Sequence, residues 1–68
     1  MPGVPHDIEI HAHLLKAGMS MRDLAERTRI GLPVLARYAA HEDSPRMGQL
    51  WVISNALGVS MRDLILFP

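Results

Sequence analysis

Residues 20–38 read SMRDLAERTRIGLPVLARY, and the organisation of the chain turns on them. Ser20 with Asp23 three positions on is a variant of the capping box, Asp standing for the usual Glu or Gln, and it predicts a helix start. Met21, Leu24 and Ala25 supply the buried stripe of that helix, which is expected to end near Thr28. The apolar pattern restarts at once, so residues 29–31 leave room only for a tight turn. From Leu32 the run LPVLARYAA predicts a further helix with Leu35 and Tyr38 or Ala39 inward. Pro33 is compatible with its first turn, where backbone N–H groups lack an intrahelical partner and a missing donor costs little.

Outward from this stretch, the same punctuation continues. Residues 7–17 carry Ile10, Leu14 and Ala17 at helical spacing, and Gly18 follows as a helix-ending residue. A polar loop over residues 41–46 precedes a fourth helix with Met47, Leu50, Ile53 and Leu57 on one side, Trp51 beside them, and Gly58 as its stop. A fifth, short helix starts at Ser60 and holds Met61, Leu64 and the apolar end Ile65, Leu66, Phe67 and Pro68. Gly18, Ser20, Met21, Arg22, Asp23 and Leu24 recur as Gly58, Ser60, Met61, Arg62, Asp63 and Leu64. The echo reads as one local solution used twice, a glycine stop followed by a Ser-capped start. Aromatic residues are few and alternation is brief, so an all-α, five-helix bundle is expected. Residues 1–6 are expected to form a flexible N-terminal arm and residues 7–68 a single domain.

Composition bounds the function. A chain of 68 residues holds one small domain, and such a domain buries only roughly 60% of its unfolded surface. With no cysteine there is neither a disulfide framework nor a thiolate metal site. No apolar stretch reaches the roughly 18 residues of a membrane span, and residues 1–6 lack the form of a secretion signal, so a cytoplasmic protein is expected. Four histidines raise the question of a metal, but His11 and His13 point about 200° apart on a helix and cannot chelate one ion as an i, i+4 pair does. His6 and His41 add no ligand spacing. There is no phosphate-cradling glycine loop and no nucleophile with a base, so no catalytic residue, no cofactor and no metal is expected.

The formal charge is zero, with seven Lys+Arg against seven Asp+Glu. Its distribution is uneven. Residues 16–37 hold Lys16, Arg22, Arg27, Arg29 and Arg37 against Asp23 and Glu26, a net +3, and the acidic excess lies elsewhere. Phosphate binding requires such a local positive surface.

The second and third helices with their three-residue turn make the local pattern of a helix-turn-helix. From residue 16 to residue 66 the sequence resembles the Cro/repressor, or Xre-type, lambda-repressor-like DNA-binding domain. The residues that carry the resemblance are Gly18 and Ser20, Leu24-Ala25, Ile30, Leu35, Pro45, and Ala56-Leu57-Gly58-Val59-Ser60 with Leu64. The resemblance implies that the third helix enters the major groove of duplex DNA while the second helix start touches phosphate. Carried over, Leu32, Pro33 and Arg37 are base-facing, and Gly31 and Met21 lie near the backbone. Arg22, in a first helix turn whose free N–H groups and dipole favour an anion, and Arg29 read by their own positions as phosphate contacts or as ordinary surface charges. It further implies a transcriptional repressor of the phage or mobile-element type, acting as a homodimer.

Several of these residues have more than one reading. Arg37 faces away from the inward Leu35, and reads a base or pairs with Glu42 or Asp43. Leu32, Pro33 and Val34 contact thymine methyl groups, bind a protein partner as an apolar patch, or pack on neighbouring helices. Ile65, Leu66 and Phe67 exceed what one short helix directs inward, and form a homodimer interface or close the core. The chain is thus expected to be a non-enzymatic, DNA-binding regulator, the alternative being the same fold reused as a protein-protein module.

Overall fold

A computed structural model of the chain describes residues 8–65. Five helices follow one another: α1 (His11–Ala17), α2 (Met21–Thr28), α3 (Leu32–Ala39), α4 (Met47–Leu57) and α5 (Met61–Leu64). Among the described residues there is no strand, only an isolated antiparallel bridge between Ile8 and Ile65. The expected all-α, five-helix architecture is therefore the one observed. The expected arm over residues 1–6 lies outside the described residues, as do Leu66, Phe67 and Pro68.

Glycine and serine set the helix boundaries as their chemistry dictates. Gly18 and Gly58 adopt left-handed conformations, φ +64° and +72°, which turn the chain back over the last carbonyls of α1 and α4. Two residues later in each case a serine caps the next helix: Ser20 Oγ accepts from the Asp23 N–H at 3.0 Å and Ser60 Oγ from the Asp63 N–H at 3.1 Å. Leu24 and Leu64, which follow, are both fully buried. The recurring seven-residue segment, identical at six positions, is thus a repeated stop-and-start device.

The core gathers Ile8, Ile10, Leu14, Leu24, Leu35, Tyr38, Leu50, Ile53, Leu57 and Leu64. Full burial of a leucine or isoleucine contributes about 1.5–3 kcal/mol, so these side chains are what a domain of this size rests on. Helix α4 is the strut: it packs on α2, α1 and α5, while α2 also packs on α3. The arrangement leaves α2 and α3 with one side each on the core and the other in solvent.

Three expectations need correction. The first helix begins at His11 and not at residue 7. Ile8 and Ile10 are both buried with the half-buried Glu9 between them, a strand-like alternation, and the Glu9 N–H donates to the Leu64 carbonyl at 3.0 Å. Glu9 Oε1 then accepts from the Ala12 N–H at 3.2 Å and supplies α1 with an N-terminal partner. Ala17 is exposed, because the two-turn α1 offers the core only Leu14. Met47 is 60% exposed: the buried row of α4 is Leu50, Ile53, Ser54 and Leu57, and the first turn lies at the edge of the core. Trp51 is equally exposed, and with Arg27, Val52, Asn55 and Ala56 it lines an open depression between α2 and α4.

Candidate nucleic-acid interface

The start of α2 is closed by a reciprocal capping box. Ser20 Oγ accepts from the Asp23 N–H, and Asp23 Oδ2 accepts from the Ser20 N–H, each at 3.0 Å. These bonds, the backbone N–H of Ser20 first and its side chain next, hold the Asp23 carboxyl below the usual carboxylate range, and Arg27 adds to the effect. A helix N-terminus attracts anions, and here that place already holds the carboxylate of Asp23. Arg22, in the same first turn, is exposed. Met21 is half-buried and packs against the core, so of the two residues flanking the cap only Arg22 presents its whole side chain outward.

The turn between α2 and α3 is built by Thr28 and Arg29. Thr28 is buried, donates from its hydroxyl to the Leu24 carbonyl at 2.8 Å and accepts from the Ile30 N–H at 3.2 Å. Arg29 ends α2 in the left-handed region, φ +62°, with its N–H bonded to the Ala25 carbonyl at 2.9 Å. The guanidinium of Arg29 is exposed at this corner. Ile30 turns back and packs on the core, and exposed Gly31 opens α3.

Pro33 sits in the first turn of α3, as its missing N–H demands. Leu35 and Tyr38 are buried, which fixes the rotation of the helix. Tyr38 further donates its hydroxyl to Gln49 Oε1 and so ties α3 to α4. Burial pushes the Tyr38 hydroxyl above its ordinary pKa, and the Asp43 carboxylate adds to that shift. With those residues inward, Leu32, Pro33, Ala36 and Arg37 are exposed, followed by Ala40 at the cap. At 100° per residue they occupy one outward arc of about 140°. Leu32 is 38% exposed, whereas Val34 is half-buried and packs on the core.

Arg22, Arg29 and Arg37 therefore project from the start of α2, the turn and the last turn of α3, and among the described residues none forms an ion pair. The alternative partners of Arg37, the carboxylates of Glu42 and Asp43, form no ion pair with its guanidinium, although the Glu42 N–H donates to the Arg37 carbonyl at 2.9 Å. Ala36 and Ala40 complete the outward face and escaped the sequence reading, since alanine carries no chemistry that marks it.

At the other side of the domain, Ile65 is half-buried, packs on the core and pairs with Ile8. The remaining members of the expected dimer surface, Leu66 and Phe67, lie outside the described residues. His13 Nε2 lies 3.1 Å from the carbonyl oxygen of Asp63 and His41 Nε2 3.3 Å from that of Ile8. A carbonyl only accepts, so in each ring that nitrogen carries the proton and the imidazole serves as a tie to the chain ends. Among the described residues no group of three or more His, Asp or Glu side chains is arranged to hold a metal, and no helix is long and apolar enough to cross a membrane.

Comparison with known proteins agrees with this geometry. A family model described as helix-turn-helix matches residues 10–64, from the residue before α1 to the end of α5. No curated protein and no solved structure matches the chain. The family is one of DNA-binding regulators, not typically enzymes, and its match takes in the cap of α2, the turn and the whole of α3. The chain belongs to the Cro/C1-type helix-turn-helix family, and its bundle is of the lambda-repressor-like kind.

Proposed function

We propose that this protein is a sequence-specific transcriptional regulator that inserts α3 into the major groove of duplex DNA. The observation that carries the reading is the set of three exposed, unpaired arginines, Arg22, Arg29 and Arg37, bordering the outward face of α3. Arg22 and Arg29 hold phosphates on either side of the groove, which fixes register without reading sequence. Arg37 forms the bidentate contact with a guanine edge that a guanidinium makes best. Because Asp23 already occupies the N-terminal end of α2, the phosphate attraction there falls to the Arg22 side chain, and non-specific affinity is modest.

The protein acts as a homodimer joined at its α5 end, with two α3 helices about 34 Å apart on a pseudo-palindromic site. This part rests on Ile65, which packs on the core but keeps part of its surface exposed within one chain, and on the apolar Leu66 and Phe67 that follow it in sequence. The role we propose is repression, as the resemblance to the Cro/repressor family implies.

Salt titration of duplex binding tests the proposal. Affinity for a selected duplex falls steeply and linearly on logarithmic axes, and Arg22→Ala or Arg29→Ala each flattens the slope by about one unit per protomer on selected and random DNA alike. Arg37→Ala weakens the selected duplex by roughly tenfold or more and leaves random DNA nearly unchanged. Sedimentation over the same series shows a dimer. Absence of binding to any duplex at low salt overturns the DNA reading, and leaves the apolar start of α3 as a surface for a protein partner.

A further inference from the structure

The outward face of α3 has an unusual chemical inventory. Leu32, Pro33, Ala36 and Ala40 are apolar, and Arg37 is the one side chain on that arc able to form a hydrogen bond. The arc carries no carboxylate to accept from cytosine N4 and no amide to bond adenine N6 and N7, the two pairings that polar recognition helices use. Pro33 also lacks a backbone N–H. The core is not built mainly from these side chains. Leu35 and Tyr38 fill that role from the opposite side of the helix, and Leu32 keeps 38% of its surface exposed.

An apolar side chain pressed against a base edge strips water from polar groups without replacing their hydrogen bonds, which is unfavourable. The exception in the major groove is the C5-methyl group of thymine, which is itself apolar. The apolar part of this face, Leu32, Pro33 and Ala36, therefore penalises cytosine, guanine and adenine edges and gains only where a methyl group lies.

We infer that α3 reads methyl groups: Leu32, Pro33 and Ala36 select C5-methyl groups in the major groove, and Arg37 adds one guanine. The inference rests on the DNA-binding reading proposed above and specifies its sequence code. Leu32 and Arg37 are about 7.5 Å apart along the helix axis, roughly two base-pair rises, so the thymines and the guanine fall within a few base pairs of each other. Because the recognised group is the methyl and not the base, 5-methylcytosine is accepted where thymine is accepted and cytosine is refused.

Two changes to the DNA test this without altering the protein. Duplexes are selected from a randomised pool, and each thymine of the best binder is replaced in turn by deoxyuridine, which differs by the methyl alone. At one to three positions affinity drops by about fourfold per methyl removed, the ratio expected for burying one methyl-sized group. Replacing the same thymine-adenine pair by cytosine-guanine lowers affinity further, and 5-methylcytosine restores about fourfold of it. Leu32→Ser, at an exposed position, abolishes the thymine-to-uracil difference at one of these sites while the salt slope stays the same. If uracil binds as tightly as thymine at every position while salt-dependent binding persists, the methyl code is overturned and the DNA reading stands. A thymine preference that Leu32→Ser and Ala36→Ser both leave intact overturns the assignment to this face. If no duplex binds at low salt, the DNA reading itself falls.

Discussion

At the scale of single residues, Arg29 stands out because it serves two ends that conflict. Its backbone sits at φ +62°, where the Cβ of an L-residue crowds the following carbonyl and glycine is the usual occupant. Its side chain, however, is exposed and is one of the three arginines to which the DNA contacts are assigned in the proposed function. Arg29→Gly is expected to relieve the strain and raise stability by about 0.5–1 kcal/mol, after allowing for the greater freedom of glycine in the unfolded chain. In a domain this small that moves the thermal midpoint up by about 3–8 °C. On the proposed DNA-binding reading, the same variant is expected to lose one phosphate contact and to bind DNA more weakly. A midpoint that stays or falls would show that the backbone strain at this corner is negligible. The exposure of Arg29 was readable from the sequence, since a basic residue in a tight turn lies at the surface. Ala36 was not readable, because its significance comes only from sharing an arc with Leu32, Pro33 and Arg37.

At the scale of elements, the start of α2 couples the folded state to pH. Asp23 is held ionised by the Ser20 N–H, by the Ser20 hydroxyl and by Arg27, so its pKa is lower in the folded chain than in the unfolded one. A depressed carboxylate contributes stability that is fully present above the unfolded pKa and is lost as pH falls through the folded value. Asp23→Asn keeps the shape and removes the titration. The native protein is therefore expected to unfold at a higher temperature than this variant at neutral pH, with the gap closing as pH falls below the usual carboxylate range. A gap that is constant across that range would show that the charge contributes nothing. The cap was legible because Ser20 and Asp23 are close in sequence and their bonding is local. The start of α1 was not: Ile8 and Ile10 alternate like a strand, but the partner that makes Ile8 extended is Ile65, at the far end of the chain. A reading by helical period places them in a helix, because local spacing contains no trace of so distant a pairing. Met47 failed for a related reason, since its spacing to Leu50 is helical while the extent of the core around it is set by other elements.

At the scale of the whole molecule, the order and type of the five helices follow from local signals, the two glycine stops, the two serine caps and at least one buried leucine on each helix. What closes the bundle does not. The Glu9 N–H on the Leu64 carbonyl, the Ile8–Ile65 bridge, His13 on Asp63 and His41 on Ile8 join the two ends of the described chain to each other and to the body of the domain. That closure has a kinetic consequence. Contacts between residues so far apart in sequence require a long loop to be closed, and they become favourable only after α2, α3 and α4 have already packed. The clasp is then absent from the transition state, and it acts on how long the native state lasts and not on how fast it forms. Ile8→Val, which trims one buried methylene, is expected to cost about 1 kcal/mol, to raise the unfolding rate about fivefold and to leave the folding rate unchanged. Stopped-flow folding in denaturant measures both limbs, and a folding rate that fell in proportion to the lost stability would place the meeting of the chain ends before the barrier. A domain closed in this way refolds at a rate set by its helices, while its lifetime once folded is set by the seam where residues 8 and 9 meet residues 64 and 65.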